Sequence, residues 1–105
     1  NPRGIAFDGQ SIWVADSGND SVTKLRASDG VSLGTFAVGR SPYALAFDGE
    51  NVWVANFLGQ SVTKMRASDG VVVTTISVGR NPLGVVFDGT RVWITNSNSN
   101  TISKR

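Results

Sequence analysis

Three carboxylates stand 40 residues apart, at Asp8, Asp48 and Asp88, and a ring of acids at that spacing has the makings of a cation site or an acid–base pair. Each is followed by Gly, however. An Asp-Gly pair is turn chemistry: the short acceptor bonds its own backbone and the Gly takes the positive φ of a tight hairpin. Asp29 and Asp69 also precede Gly and read the same way. Asp16, Gly18, Asn19 and Asp20 resemble the start of a calcium loop, but they lack the alternate oxygen ligands and sixth-position Gly of an EF-hand. No metal site is expected, and no cofactor. The chain has no His and no Cys, which removes the commonest general base, the commonest transition-metal ligand and all thiol chemistry. Neither a phosphate-cradling loop nor a nucleophile triad is present. No catalytic residue is assigned, and the expectation is that the chain is not an enzyme. Asn19-Asp20-Ser21 is a glycosylation sequon, relevant only to a secreted eukaryotic protein.

Basic residues recur in step with the acids. Lys24, Arg26, Lys64, Arg66, Lys104 and Arg105 fall on one strand type, and Arg40 and Arg80 on connections. Such a ladder suits phosphates, but the net charge is only +2, and long basic side chains commonly lay their stems over apolar surface. Nucleic acid is not the expected partner. No apolar run approaches the roughly 20 residues that span a bilayer, so no membrane segment is expected. A hydrophobic content of 40% with 17% charged residues is that of a folded domain.

What positions these groups is a tandem repeat. Residues 1–40 and 41–80 align without a gap at 22 identities, and 81–105 continue the register. Pro2, Pro42 and Pro82 recur, as do Trp13, Trp53 and Trp93. A unit this short cannot bury its own apolar surface, so its copies must stack face to face. In the first copy, residues 4–7, 11–15, 21–26 and 31–38 read as strands joined by Asp-Gly turns and a polar loop, and no window has helical spacing. Four short antiparallel strands per repeat make a β-propeller blade. The expected fold is all-β, with about 2.75 blades: 1–40, 41–80, and a partial third, 81–105, without its fourth strand. The small residues of the first strand suit a crowded axis. Phe7, Trp13, Phe47, Trp53, Phe87 and Trp93 are expected to be buried, the tryptophans as core rather than as a stacking platform for a sugar or base.

At the level of residues, 73–96, ending in Trp93-Ile94-Thr95-Asn96, the chain resembles the repeat of YVTN propellers. Gly4-Ile5-Ala6-Phe7-Asp8-Gly9, with Trp13, Asp16 and Asn19, is similar to the NHL repeat. The resemblance implies a toroid of six or seven blades, a binding or scaffolding role, and an exported or cell-surface location in bacteria or archaea. Virginiamycin-B-lyase-like propellers share the blade pattern, but their activity needs a catalytic His and an acidic metal site, and this sequence has no His.

The connections between second and third strands are where the copies diverge. Variable loops on a rigid frame are the usual place for binding groups. The candidate binding face therefore comprises Asp16, Asn19 and Asp20; Asn56, Phe57 and Leu58; Asn96, Asn98 and Asn100; and Arg40 and Arg80 on the adjoining connections. Phe57 and Leu58 are an apolar pair in a polar setting, either contacting a ligand or partner or packing on a neighbouring blade's loop. Two functions follow: a non-catalytic binding or scaffolding module, or part of an enzyme propeller whose catalytic residues lie outside this chain. Fewer than three complete blades leave apolar faces uncovered, so homo-association is expected, with a dimer closing a six-bladed ring. The chain lacks an initiator Met, starts where Arg40 and Arg80 precede the later copies, and ends after Arg105. The expectation is a fragment of a longer propeller, cleaved after basic residues, with a partial domain chosen by hand as the rival account.

Overall fold

The computed structural model describes residues 2–99 and 101–105. Short apolar runs separated by positive-φ turns yield eleven strands and, among the described residues, no helix. The first sheet comprises β1 (Pro2–Phe7), β2 (Ser11–Asp16), β3 (Ser21–Arg26) and β4 (Ser32–Ala37). The second comprises β5 (Pro42–Phe47), β6 (Asn51–Asn56), β7 (Ser61–Arg66) and β8 (Val72–Ser77). The third comprises β9 (Pro82–Phe87), β10 (Val92–Asn96) and β11 (Thr101–Lys104). Each sheet runs in sequence order with antiparallel neighbours, the meander of a propeller-like unit. β1 starts two residues earlier than its apolar pattern suggests, across an irregularity between Pro2 and Ile5. β4 starts one residue later than expected because Val31 is taken into the turn, its carbonyl accepting from the Arg26 amide. The Asp-Gly turns have Gly9, Gly49 and Gly89 at φ of 99°, 102° and 102°.

The sheets stack in order and are not closed into a ring. Two cores lie between them. Trp13, Ala15 and Val22 of the first sheet meet Leu45, Val52, Val54 and Met65 of the second, with Phe36 and Phe47 at the margin. Trp53 and Val62 of the second sheet meet Val92 and Ile94 of the third, with Ile76, Val85 and Phe87 alongside. β6 is buried along its whole length, as a strand sandwiched between two sheets must be. The inner strands approach closely: a Cβ on Gly4 would stand 2.7 Å from the Tyr43 carbonyl oxygen.

Four burial expectations are corrected. Phe7 is 56% exposed and Trp93 36%, and Phe47 and Phe87 are only partly buried. Phe7 points out of the first sheet and Trp93 out of the third, where no further sheet covers them. Trp13 and Trp53, at 0% and 6%, have a following sheet and are core.

Candidate functional site

Two faces emerge from the hairpins: one carries the Asp-Gly turns, the other the variable loops. On the turn face each repeated Asp is fully engaged. Asp8 accepts from the amides of Gln10 (2.9 Å) and Ser11 (2.7 Å) and from Trp13 Nε1 (2.9 Å). Asp48 does the same with Glu50, Asn51 and Trp53, and Asp88 with Thr90, Arg91 and Trp93. Above each indole lies a lysine: Lys24 at 5.2 Å from the Trp13 centroid, Lys64 at 5.1 Å from Trp53, Lys104 at 5.6 Å from Trp93. The unit is thus an Asp–Trp–Lys relay in which the carboxylate holds the turn and orients the indole, and the cation caps the ring. The recurrence at 40-residue spacing signals it, but sequence reasoning took the Asp, Trp and Lys as three separate features.

These carboxyls are acidified. Burial pushes Asp8 upward, but the Trp13 N–H and the two amides outweigh it and the net shift is downward. Asp48 behaves alike, burial being opposed by the Asn51 amide, Trp53 and the Glu50 amide. Asp88 is lowered to about 2 by the Arg91 amide, then Trp93 and the Thr90 amide. A carboxyl depressed in the folded state stabilises fully above its unfolded pKa of roughly 3.9, and that stability is lost as pH falls through the folded value. The thermal midpoint is therefore expected to be level from neutral pH to about pH 5 and to fall progressively below about pH 4. Combining Asp8→Asn, Asp48→Asn and Asp88→Asn should flatten that acid limb; a limb of unchanged steepness in the triple variant would contradict the assignment.

Between the first two sheets the turn face opens into a groove of about 500 Å³, with Asp8, Lys24, Glu50 and Arg66 on its walls. Three of these are engaged: Asp8 in its relay, Lys24 through Nζ to the Ala67 carbonyl at 2.8 Å, and Arg66 with Asp69 at 2.7 Å. The Arg26–Asp29 pair at 2.8 Å repeats the last of these. The basic ladder is thus spent largely on indoles and neighbouring carboxylates. No group of three or more His, Cys, Asp or Glu gathers among the described residues.

On the loop face the expected binding residues divide. Asn56 is not displayed: it is fully buried and its Nδ2 donates to Ser61 Oγ (3.1 Å) and Thr63 Oγ1 (2.9 Å). Asn96 is likewise buried, donating to Thr101 Oγ1 and Ser103 Oγ. As the last residues of β6 and β10 they tie a strand end to its neighbour, because a buried amide needs partners. Asp16, half-buried, accepts from Asn19 Nδ2 at 2.9 Å. Asp20, with φ of 53°, accepts from the Ser41 amide at 2.8 Å and so joins the first loop to the second sheet. Phe57 stacks on Tyr43 at 5.4 Å between centroids, and the Arg3 guanidinium lies 5.2 Å from the Tyr43 ring. Leu58 projects into solvent. Arg40 and Arg80 are exposed, and Asn98 donates to Asn81. Asn100 lies outside the described residues. Structure therefore brings together Arg3, Tyr43 and Phe57, a cluster that sequence reasoning missed because Arg3 and Tyr43 lie on inner strands rather than in loops.

Stacked antiparallel meanders of four, four and three strands, with a repeated indole clamp, define a propeller-like all-β repeat. No family model matches the sequence, and no curated protein does. Among solved structures, the chain is similar to one of Kuenenia stuttgartiensis hydrazine synthase, at 27% identity and a TM-score of 0.85, over 90% of this chain and 29% of that one. This corrects the expectation that the chain is not an enzyme, since the same stack of sheets forms part of an enzyme chain. The absence of His, Cys, a phosphate-cradling loop and a nucleophile triad from 105 residues describes only those residues. In a larger chain the chemistry has other places to reside.

Proposed function

We propose that this chain is the scaffold segment of an enzyme propeller whose catalytic residues lie outside it. The observation that carries this reading is the likeness to hydrazine synthase over 90% of this chain but only 29% of the other. The finer description, about 2.75 blades of a YVTN- or NHL-like ring in an exported protein, rests on the repeat and its resemblance. The polar constellations within the chain favour a frame. Each Asp–Trp–Lys relay is internally satisfied, and the lyase-like pattern has no His here to complete it. The contribution of these blades is to hold a rigid loop face, with Asp20, Phe57, Leu58 and Arg80, against the part of the enzyme that does the chemistry.

The test is on the complete polypeptide encoded around these residues. It should contain further sequence bearing His and acidic groups. Asp48→Asn in it should lower the yield of folded enzyme while leaving kcat per folded molecule unchanged. Turnover by the 105-residue chain alone, or a gene encoding nothing beyond it, would overturn the proposal.

A further inference from the structure

The groove of about 500 Å³ on the turn face has the first and second sheets for its walls, both of them four-stranded. Its engaged charges, Asp8, Lys24 and Arg66, belong to the frame. The side chains of Gln10, Ser11, Glu50 and Ser68 also line it, and these make no hydrogen bond with any described residue. Ser11 is the most telling of them. It alternates along β2 with Trp13 and Ala15, which pack on the second sheet, so its hydroxyl faces that sheet as well. There Ser11 is 4% exposed, and a buried hydroxyl without a partner costs free energy that a bound group would recover.

We propose that this groove binds a neutral saccharide unit. Charge selects against the other classes: the walls set Asp8 and Glu50 against Lys24 and Arg66, so an anion and a cation would each meet like charge, and Glu50 is already attracted to Arg66. The groove therefore suits a ligand with no net charge and many hydrogen bonds. Gln10 supplies both donors and an acceptor, each serine hydroxyl does both, and Glu50 only accepts. A sugar hydroxyl donates and accepts, and so answers all four side chains. The apolar part of the lining is Phe47 and Ala67. The C–H face of a pyranose ring rests on such a surface while its hydroxyls reach the polar rim, the mixture of apolar wall and a few placed polar groups that marks small-molecule sites.

These lining groups are not part of the repeated frame. Shifted by one repeat, Ser11 becomes Asn51 and Glu50 becomes Thr90, whereas Asp8, Trp13 and Lys24 recur unchanged as Asp48, Trp53 and Lys64. The gap between the second and third sheets thus presents different chemistry, and the site is specific to the first gap. This inference stands apart from the catalytic reading, which concerns the loop face.

The experiment is a titration of the chain followed by backbone amide NMR shifts. The probes are the methyl glycosides of glucose, galactose, mannose and N-acetylglucosamine, with inorganic phosphate and putrescine as the charged arms. The expected result is saturable binding of at least one glycoside with a dissociation constant on the order of 1 mM, in keeping with the ligand efficiency of one small ring, and with shifts centred on Ser11, Phe47 and Glu50. Ser11→Ala and Glu50→Ala should each weaken binding by about 3- to 10-fold, the loss of one hydrogen bond. Neither should lower the thermal midpoint, because neither side chain has a hydrogen-bond partner among the described residues. The absence of saturable glycoside binding up to about 100 mM overturns the inference. So does glycoside binding that either variant leaves intact, which would place the sugar elsewhere, and so does phosphate or putrescine binding in the groove more tightly than every glycoside.

Discussion

Trp53→Ala is expected to destabilise the chain by about 3–5 kcal/mol, the range for emptying a large aromatic site in a core. The ring is 6% exposed in the middle sheet and packs with Val62, Val92 and Ile94, so little around it can collapse into the space. Its loss also takes the 2.8 Å bond from Nε1 to Asp48 and the seat of Lys64. Against a net stability of roughly 5–15 kcal/mol for a domain, that is enough to release the third sheet. The informative control is Trp93→Ala. That indole makes the same bond to Asp88, at 2.7 Å, but stands 36% exposed with no sheet over it. In urea melts of monomeric samples its cost should be clearly smaller than that of Trp53→Ala. Equal costs would mean that the relay, rather than burial between sheets, carries the energy.

Asn56→Asp is expected to give the second largest loss, and one that depends on pH. The side chain is fully buried at the end of β6, and its Oδ1 has no hydrogen-bond partner while Nδ2 serves Ser61 and Thr63. The same position in the first sheet is Asp16, which is tolerated because it lies half-exposed at the end of the stack. In the middle sheet a carboxylate would be desolvated, which raises its pKa. A rise of about 2 units corresponds to roughly 3 kcal/mol once the group is ionised. The sign follows from the raised folded value: the cost is absent below the unfolded pKa near 3.9, grows as pH rises through the folded value, and is constant above it. Urea midpoints of the variant and the parent chain should therefore converge near pH 4 and separate towards neutrality. A gap that is constant with pH would show that the lost amide bonds, not the charge, set the cost.

The repeat, the strands and the turns were legible because they are local. Phe47-Asp48-Gly49 specifies a hairpin within a few residues of itself, through a carboxylate that accepts from its own turn amides and a Gly at φ of 102°. The short apolar run of β6, Val52 to Ala55, bounded by turn and loop residues, likewise announces a strand. The linkage from Asp48 through Trp53 to Lys64 was written in the same spacing, but only the pleat and the register of Trp53 opposite Lys64 show that the three meet.

Burial was not legible at the ends of the stack. Phe7 and Phe47 have the same sequence neighbours on both sides, yet one is 56% exposed and the other packs against a core. The difference is whether another sheet lies over them, which is a property of non-local stacking and not of the residue or its strand. Asn56 misled for the same reason: an Asn at a strand end suits a displayed loop, but the neighbouring sheets and the hydroxyls of Ser61 and Thr63 turned it inward. Local hydrogen-bond chemistry is repeated in each 40-residue copy and can be read from one of them, whereas the exposure of a face depends on the copies beside it, and those are placed only when the sheets stack.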